Sequence, residues 1–238
     1  MNCPICQSSK LLPFVEQDEW RFSQCVDCQF AFLNPMPEQT QLNALYHNDR
    51  GITGTFYPKA RSRRIRSFGR ALRLLPWFWR KSAFDLGCGG GFMVNAFRQL
   101  GARAGGLDVN AEAIAYARRK FPRCRFFSES FDRFQPVEAF DFVYCSELIE
   151  HISNLGEYMT LLRRLTHPGS HVYITTPDLG SNQVPQPITD WDVFVPPTHV
   201  QFFNEQNLGL LFQQHGFVQV RRFPDQKAGL KVLFRRLD

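Results

Sequence analysis

The sequence predicts an α/β protein, a doubly wound and mostly parallel sheet with a small cysteine-bearing unit in front of it. Three observations carry this reading. From residue 82 onward, short apolar runs alternate with amphipathic stretches, the pattern of strand, helix and parallel strand. The first run ends in Asp85-Leu86 and leads through Gly87-Cys88-Gly89-Gly90-Gly91 into an amphipathic segment opening at Phe92. Glycines in such a turn reach backbone angles closed to other residues and let a ligand lie against bare backbone. Ahead of the sheet stand two Cys-x-x-Cys pairs, Cys3/Cys6 and Cys25/Cys28, separated by 18 residues.

Composition narrows the classes. A chain of 238 residues holds one large α/β domain and a small appendage. Apolar residues at 44% and charged residues at 21% fit an ordinary soluble globule. The 24 phenylalanines suggest aromatic walls around something as well as core. No apolar run approaches a membrane span, and the N-terminus lacks a basic region followed by an apolar stretch. The expected location is the cytoplasm, where cysteines are reduced thiols or metal ligands. A net charge of +6 permits an acidic partner such as nucleic acid, a nucleotide-sugar or an anionic lipid surface, without requiring one.

In chain order, Cys3, Cys6, Cys25 and Cys28 come first. Each knuckle turns two thiolates toward one point, and four thiolates make a closed tetrahedral site, so residues 1–36 read as a structural zinc ribbon. In so short a segment the metal is expected to replace a core that cannot form. Two disulfides, unligated thiols or an iron–sulfur cluster are the alternatives. Residues 37–80 form a helical linker or cap. A helix-like stretch runs from Glu38 to Tyr46, and 47–58 reads as loop. Over 59–75, Lys59, Arg61, Arg63, Arg64, Arg66, Arg70 and Arg73 alternate with Ile65, Phe68, Leu72 and Leu75 at helical spacing. This is an amphipathic helix with a solvated basic face, or, more sharply, a phosphate-binding face.

The domain proper spans 81–238. Strands are expected at Ser82–Leu86, Arg103–Val109, Cys124–Ser128, Phe140–Cys145 and His171–Thr176. Helices are expected at Phe92–Leu100, at 111–120 behind an Asn110 cap, and along the stripe Leu155, Tyr158, Met159, Leu162, Leu165. Residues 178–200 hold Pro185, Pro187, Pro196 and Pro197 with little periodicity and read as a lid. A helix at Asn204–His215 and a hairpin of Phe217–Phe223 with Leu230–Phe234 close the chain.

The glycine turn indicates its ligand. A dinucleotide site wants G-x-G-x-x-G, but the third position holds Phe92. Asp85 before the turn would oppose a pyrophosphate and suit a cation, such as a ligand with an ammonium and a sulfonium. S-adenosyl-L-methionine is that ligand. Asp108, 23 residues after Asp85, stands where a doubly wound sheet presents a carboxylate to ribose hydroxyls.

Residues 82–223 resemble the class I S-adenosylmethionine-dependent methyltransferases. The matching stretches are Asp85–Gly91, Gly106–Val109, Phe140–Val143, Glu150-His151-Ile152 and Pro168–Pro177, in the family's order. The last two are similar to the ubiquinone-type branch, whose members methylate small molecules. The join Phe30–Pro37 resembles that of methyltransferases carrying a four-cysteine module in front, including sugar C-methyltransferases. The resemblance implies a seven-stranded Rossmann-like sheet with the last strand antiparallel. It also implies Gly87, Gly89 and Gly91 against the methionine and ribose, Asp85 as counter-charge and Asp108 on both ribose hydroxyls. Val109 would lie on the adenine face, with Glu129 and the Ser130 backbone at the adenine amino group.

For catalysis, a histidine suits general-base work on a hydroxyl. His151, just past the fourth strand, is the first candidate, and His199, where the lid returns, the second. Trp191, Phe194 and Phe202 wall the pocket or belong to core. Cys145 lacks the preceding proline of cytosine carbon-5 methyltransferases, since Tyr144 stands there, and reads as a packing cysteine. The function expected is methylation of a hydroxyl or activated carbon on a small molecule, a sugar or secondary metabolite. The alternatives are an RNA methyltransferase with an RNA-binding ribbon, and a non-catalytic zinc-ribbon protein with a vestigial cofactor fold.

Overall fold

The computed structural model describes residues 2–42 and 52–238. Strands β1 (Leu11–Gln17) and β2 (Trp20–Cys25) form a hairpin between the two cysteine pairs, and β3 (Ala31–Leu33) adds to β2. Both cysteine turns close alike. The Gln7 N–H donates to the Cys3 carbonyl at 3.0 Å and the Gln29 N–H to the Cys25 carbonyl at 2.8 Å. Both glutamines take left-handed backbone, φ 61° and 60°. Residues 39–42 are helical, and the rest of the stretch expected to Tyr46, with the start of the 47–58 loop, lies outside the described residues.

The basic helix α1 spans Ala60–Phe78, three residues longer than expected at its end. Its inward face also differs. Ala71, Leu74 and Phe78 are buried, while Ile65 is 63% and Leu72 47% exposed. Only the second half of α1 reaches the sheet, so the stripe through Ile65, Phe68 and Leu72 lies beside the contact and not within it.

Beyond it, β4 (Ser82–Leu86), α2 (Phe92–Gln99), β5 (Arg103–Asp108), α3 (Ala111–Lys120), β6 (Arg125–Ser128), β7 (Phe140–Ser146), α4 (Leu155–Leu165) and β8 (Thr166–Pro177) alternate as the periodicity predicts. β4 is buried throughout and β7 over most of its length because helices cover both faces. Asn110 caps α3 by accepting the Ala113 N–H at 2.9 Å, a bond worth about 1 kcal/mol. β8 begins before the expected His171. Its early part carries the Pro168-Gly169 turn as an irregularity, tied by the Ser170 hydroxyl donating to the Phe140 carbonyl at 2.7 Å.

The chain ends with β9 (Gln201–Phe202), α5 (Glu205–Gln214), β10 (Phe217–Arg222) and β11 (Gly229–Arg236). The seven-stranded sheet has the order β10-β11-β8-β7-β4-β5-β6, with β11 antiparallel to both neighbours. Cores on its two faces join α1 and α2 to one side and α4 and α5 to the other. Among the described residues, no helix is long and apolar enough to cross a membrane.

The front unit is not self-contained. β9 pairs with β3 and completes a four-stranded sheet, β1-β2-β3-β9. Cys3, Ile5, Cys28, Phe30 and Phe32 belong to the same core as α4 and α5. The Asn207 amide donates to the Cys28 carbonyl and the Gln214 amide to the Ile5 carbonyl, both at 3.1 Å. The expectation that metal stands in for a missing core is therefore corrected, since these residues share the core of the larger domain. Residues 178–200, expected as a lid, bury Ile188, Trp191, Phe194 and Val200 against Phe22, Ala31 and Leu33.

Candidate active site

The carboxyl ends of β4, β5 and β6 open on a cavity of about 330 Å³. Gly87, Gly89, Asp108, Val109, Glu129 and Ser130 line it, so six of the eight residues expected to hold a nucleoside come together. Asp108 organises this end. One carboxylate oxygen accepts the Gly89 N–H at 2.7 Å and the other accepts the Asn110 N–H at 2.9 Å. The carboxylate thus ties the glycine turn to the start of α3. Each oxygen has a second lone pair with which to accept from a ligand. Burial raises the Asp108 pKa, and the N–H groups of Asn110 and Gly89 partly restrain that rise.

Two glycines show what the turn must accommodate. A Cβ on Gly89 would lie 2.9 Å from the Tyr57 hydroxyl, because Tyr57 closes over the loop. Gly91, at φ 74°, would put a Cβ 2.6 Å from the Phe126 ring. Gly91 does not line the cavity, and its place is the contact of the turn with β6.

Asp85 lies on the other side of the turn. It lines a neighbouring cavity of about 400 Å³ with Arg66, Arg70 and Tyr144, and the two cavities share Gly87, Gly89, Tyr57 and Glu147. Burial, and then the charge of Asp108, hold the Asp85 pKa well above the usual carboxylate range. A third cavity, of about 840 Å³, is walled by Tyr144, Tyr173 and Trp191 and fringed by Arg70, Arg73 and Lys231. Phe194 and Phe202 pack in the core behind it.

Glu147 lines all three cavities. It sits at φ 53°, unusual for a residue with a side chain, and its carboxylate accepts the Thr175 hydroxyl at 2.7 Å. Sequence reasoning passed over Glu147, as it did Tyr57. The available signal was an acid ending an apolar strand three residues before Glu150-His151.

Of the two candidate histidines, His151 lines the first cavity, and His199 is buried behind it and lines none of the three. A 3-10 turn, Ile149–His151, follows β7 and places the His151 side chain in the first cavity, beside Glu147. His151 Nδ1 lies 2.7 Å from the Thr198 carbonyl, and the His199 ring is 4.5 Å away between centroids. The segment bearing His199 is laced to the turn, with the Gln201 amide donating to the carbonyls of Ile149 and Ile152 and the Val200 N–H to that of Glu150. Glu150 is fully buried, and burial followed by the charge of Glu147 raises its pKa. Cys145 is buried 3.0 Å from the Tyr158 hydroxyl and lines none of the three cavities.

In the front unit the sulfurs of Cys3 and Cys28 are 3.5 Å apart and those of Cys6 and Cys25 3.4 Å, with all four within 4.8 Å of one another. These separations are far too long for disulfides, whose sulfurs lie about 2.05 Å apart. They fit a tetrahedron with metal–sulfur bonds of about 2.3 Å.

Comparison with known proteins agrees with this geometry. The ubiquinone biosynthesis O-methyltransferase of Rhodopseudomonas palustris (strain BisB18) is 26% identical over 171 residues, covering 64% of this chain and 67% of that protein. Among solved structures, the Burkholderia thailandensis 1,6-didemethyltoxoflavin-N1-methyltransferase, with bound 1,6-didemethyltoxoflavin and S-adenosylhomocysteine, superposes with a TM-score of 0.59 at 18% identity. It covers 95% of this chain and 99% of its own. An S-adenosylmethionine-dependent methyltransferase from Aquifex aeolicus gives 0.57 at 16% identity, over 84% and 100% of the two chains. The family model described as a methyltransferase domain matches residues 59–221, from the basic helix to β10. With the glycine turn and Asp108 both inside that match, the chain belongs to the methyltransferase domain family.

Proposed function

We propose that this chain transfers the methyl group of S-adenosylmethionine to a hydroxyl of a small molecule. The observation that carries the reading is a pair of cavities joined at Gly87 and Gly89, in one of which Asp108 offers two oxygens to a ribose while Asp85 lines the other, the place for a cationic tail. Val109 then lies on the adenine, and Glu129 and Ser130 stand at its edge. S-adenosylmethionine supplies a methyl group already activated on a sulfonium. The protein's task is to bring the acceptor into line and draw off its proton. The aromatic and cationic walls of the largest cavity suit an acceptor with a ring and an anionic substituent. The O-methyltransferases among the relatives favour oxygen over carbon as the receiving atom.

His151 activates the acceptor hydroxyl, since it borders the nucleoside cavity beside Glu147, and His199 backs it. The four front cysteines hold one structural zinc.

The test is label transfer from methyl-labelled cofactor to a small-molecule extract and, separately, to RNA. Label is expected in the small-molecule fraction. His151→Ala should lower turnover by about a hundredfold to ten-thousandfold and leave S-adenosylhomocysteine affinity unchanged. Label in RNA alone would overturn the small-molecule reading. No transfer to either fraction, with no cofactor binding, would leave a vestigial fold.

A further inference from the structure

The proposed reaction leaves most of the basic face of α1 unused. From Lys59 to Phe84 the chain carries nine basic residues and no acidic one. Arg63, Arg66, Arg70 and Arg73 recur at i, i+3, i+7 and i+10, so they share one side of the helix. That side borders the site. Arg63 lines the first cavity, Arg63, Arg66 and Arg70 the second, and Arg70 and Arg73 the third, whereas Arg61 and Arg64 line none of them. Among the described residues, none of the four is ion-paired with a carboxylate. Like charges one turn apart on a helix repel, and α1 holds no acid to relieve them. The cofactor brings one anionic group, the carboxylate of its methionine part, so most of this charge remains when it is bound.

The third cavity takes the surplus. Arg221 of β10 lines it with Arg70 and Arg73 and lies over the Phe223 ring at 4.9 Å, also without an ion pair among the described residues, while Lys231 is held by Asp225 at 3.0 Å. Arg70 reaches the wall of this cavity: burial raises the pKa of the Tyr144 hydroxyl, and Ser146 and then Arg70 restrain that rise. Beside it Tyr144 and Tyr173 stack with centroids 5.5 Å apart and planes 13° from parallel.

We propose that Arg70 and Arg73 of α1, with Arg221 of β10, bind a phosphate group of the acceptor, whose uncharged part lies against the aromatic wall of the same cavity. Side chains three residues apart on a helix start about 5–6 Å from one another, so Arg70 and Arg73 can both reach one tetrahedral group. Each guanidinium offers paired N–H donors that match two oxygens. A carboxylate, with two oxygens and one charge, occupies one such fork. A phosphate monoester carries nearly two charges near neutral pH and three terminal oxygens, enough for a second. An extended polyanion does not suit this arrangement, because the three arginines line a walled cavity of about 840 Å³, the size of a small-molecule site. That the phosphate belongs to the acceptor rests on the methyl-transfer reading above, while the anion site itself does not.

The test uses the full chain saturated with S-adenosylhomocysteine, which fills the cofactor's own anion contacts. Phenyl phosphate and inorganic pyrophosphate should bind by calorimetry, and benzoate about tenfold more weakly, since it leaves one guanidinium fork unused. The double variant Arg70→Gln/Arg73→Gln should lose about tenfold or more in phenyl phosphate affinity, and Arg64→Gln, outside the cavities, should change little. Arg221→Gln alters the same cavity from a separate element and decides the matter if the helix variant loses its cofactor site. In a small-molecule extract, prior treatment with a phosphomonoesterase should abolish label transfer from methyl-labelled cofactor where the phosphate is terminal. Added nucleotide pyrophosphatase should be needed where it is an internal diphosphate. Failure of both phosphate probes to bind, or binding that the double variant and Arg221→Gln retain, overturns the anion site. An RNA oligonucleotide whose binding Arg64→Gln weakens as much as the double variant does would make the partner a nucleic acid and overturn it too. Label transfer untouched by either enzyme overturns the phosphorylated acceptor and leaves methyl transfer standing. Phosphate binding that the variants lose, with no small molecule taking label, upholds the anion site and sinks the methyl-transfer reading instead.

Discussion

Replacing Asp108 tests the centre of the cofactor site, and the structure sets the size of the effect. Both carboxylate oxygens are engaged by backbone, from Gly89 at 2.7 Å and Asn110 at 2.9 Å. An asparagine can accept only one of these N–H groups, because its amide nitrogen would face the other donor to donor. Asp108→Asn should therefore behave much like Asp108→Ala. A hydrogen bond to a charged group is worth about 1.5–3 kcal/mol, so losing two ribose bonds costs about 3 kcal/mol or more. That corresponds to an affinity loss on the order of a hundredfold. Stability without ligand should fall less. Burial raises the Asp108 pKa, so removing the carboxylate also removes a desolvation cost that offsets its two backbone bonds. Calorimetry with S-adenosylhomocysteine, alongside thermal melting of the ligand-free protein, separates the two effects. A folded Asp108→Ala protein that binds S-adenosylhomocysteine within about threefold of wild type would refute the role assigned to this residue.

Two further outcomes follow from the same geometry. One tightly held zinc per chain should appear by metal analysis. Cys25→Ser should release it and also lower turnover, since β3 loses its brace and β9 is paired to β3; a metal-free variant of full activity would disprove that coupling. As the proposed counter-charge, Asp85 should make cofactor binding depend on pH. Its folded-state pKa lies above the unfolded one, through burial and then Asp108, so the folded state takes up the proton first. Ligand-free stability should rise as pH falls through that raised pKa, and affinity for the cationic cofactor should fall over the same window. Calorimetry over a pH series running upward from the ordinary carboxylate range that shows flat affinity throughout would exclude Asp85 as the counter-charge.

Local chemistry was legible in the sequence, and docking was not. The turn from Asp85 to Gly91, the acid at Asp108, the Asn110 cap and the strand order from β4 to β8 are written in short stretches, where backbone angle and period decide the outcome. The cysteine pairs are legible for the same reason, since each knuckle is a closed local turn. The inward face of α1 was misread because Ile65, Phe68 and Leu72 have helical spacing, yet period alone cannot tell which half of a helix meets a sheet. The hairpin β1–β2 left little trace, as the apolar residues of β1 run together without alternation and Leu12 and Pro13 are exposed. Tyr57 was invisible because its contact with Gly89 and Gly90 joins residues more than thirty apart in the chain. Glu147 was missed because its importance lies in bordering three cavities, a property of the folded surface alone.

The join between β3 and β9 ties the front unit to the segment that carries His199. β9 follows directly on Thr198-His199-Val200, and the Leu33 N–H donates to the Val200 carbonyl at 2.8 Å. On its other side, Val200 donates to the Glu150 carbonyl, and Gln201 holds the carbonyls of Ile149 and Ile152. One short segment therefore has the cysteine unit on one edge and the Glu150-His151 turn on the other, with His199 between them. Fixing β3 fixes β9, and fixing β9 fixes the distance between the two histidines. Around the knuckles, Asn207 and Gln214 of α5 engage the Cys28 and Ile5 carbonyls, so these groups already bind the domain behind them. A module meant to read a separate macromolecule would keep such groups for its partner. The contacts of this one point inward, and its metal would serve the active site by stiffening the sheet that delivers His199.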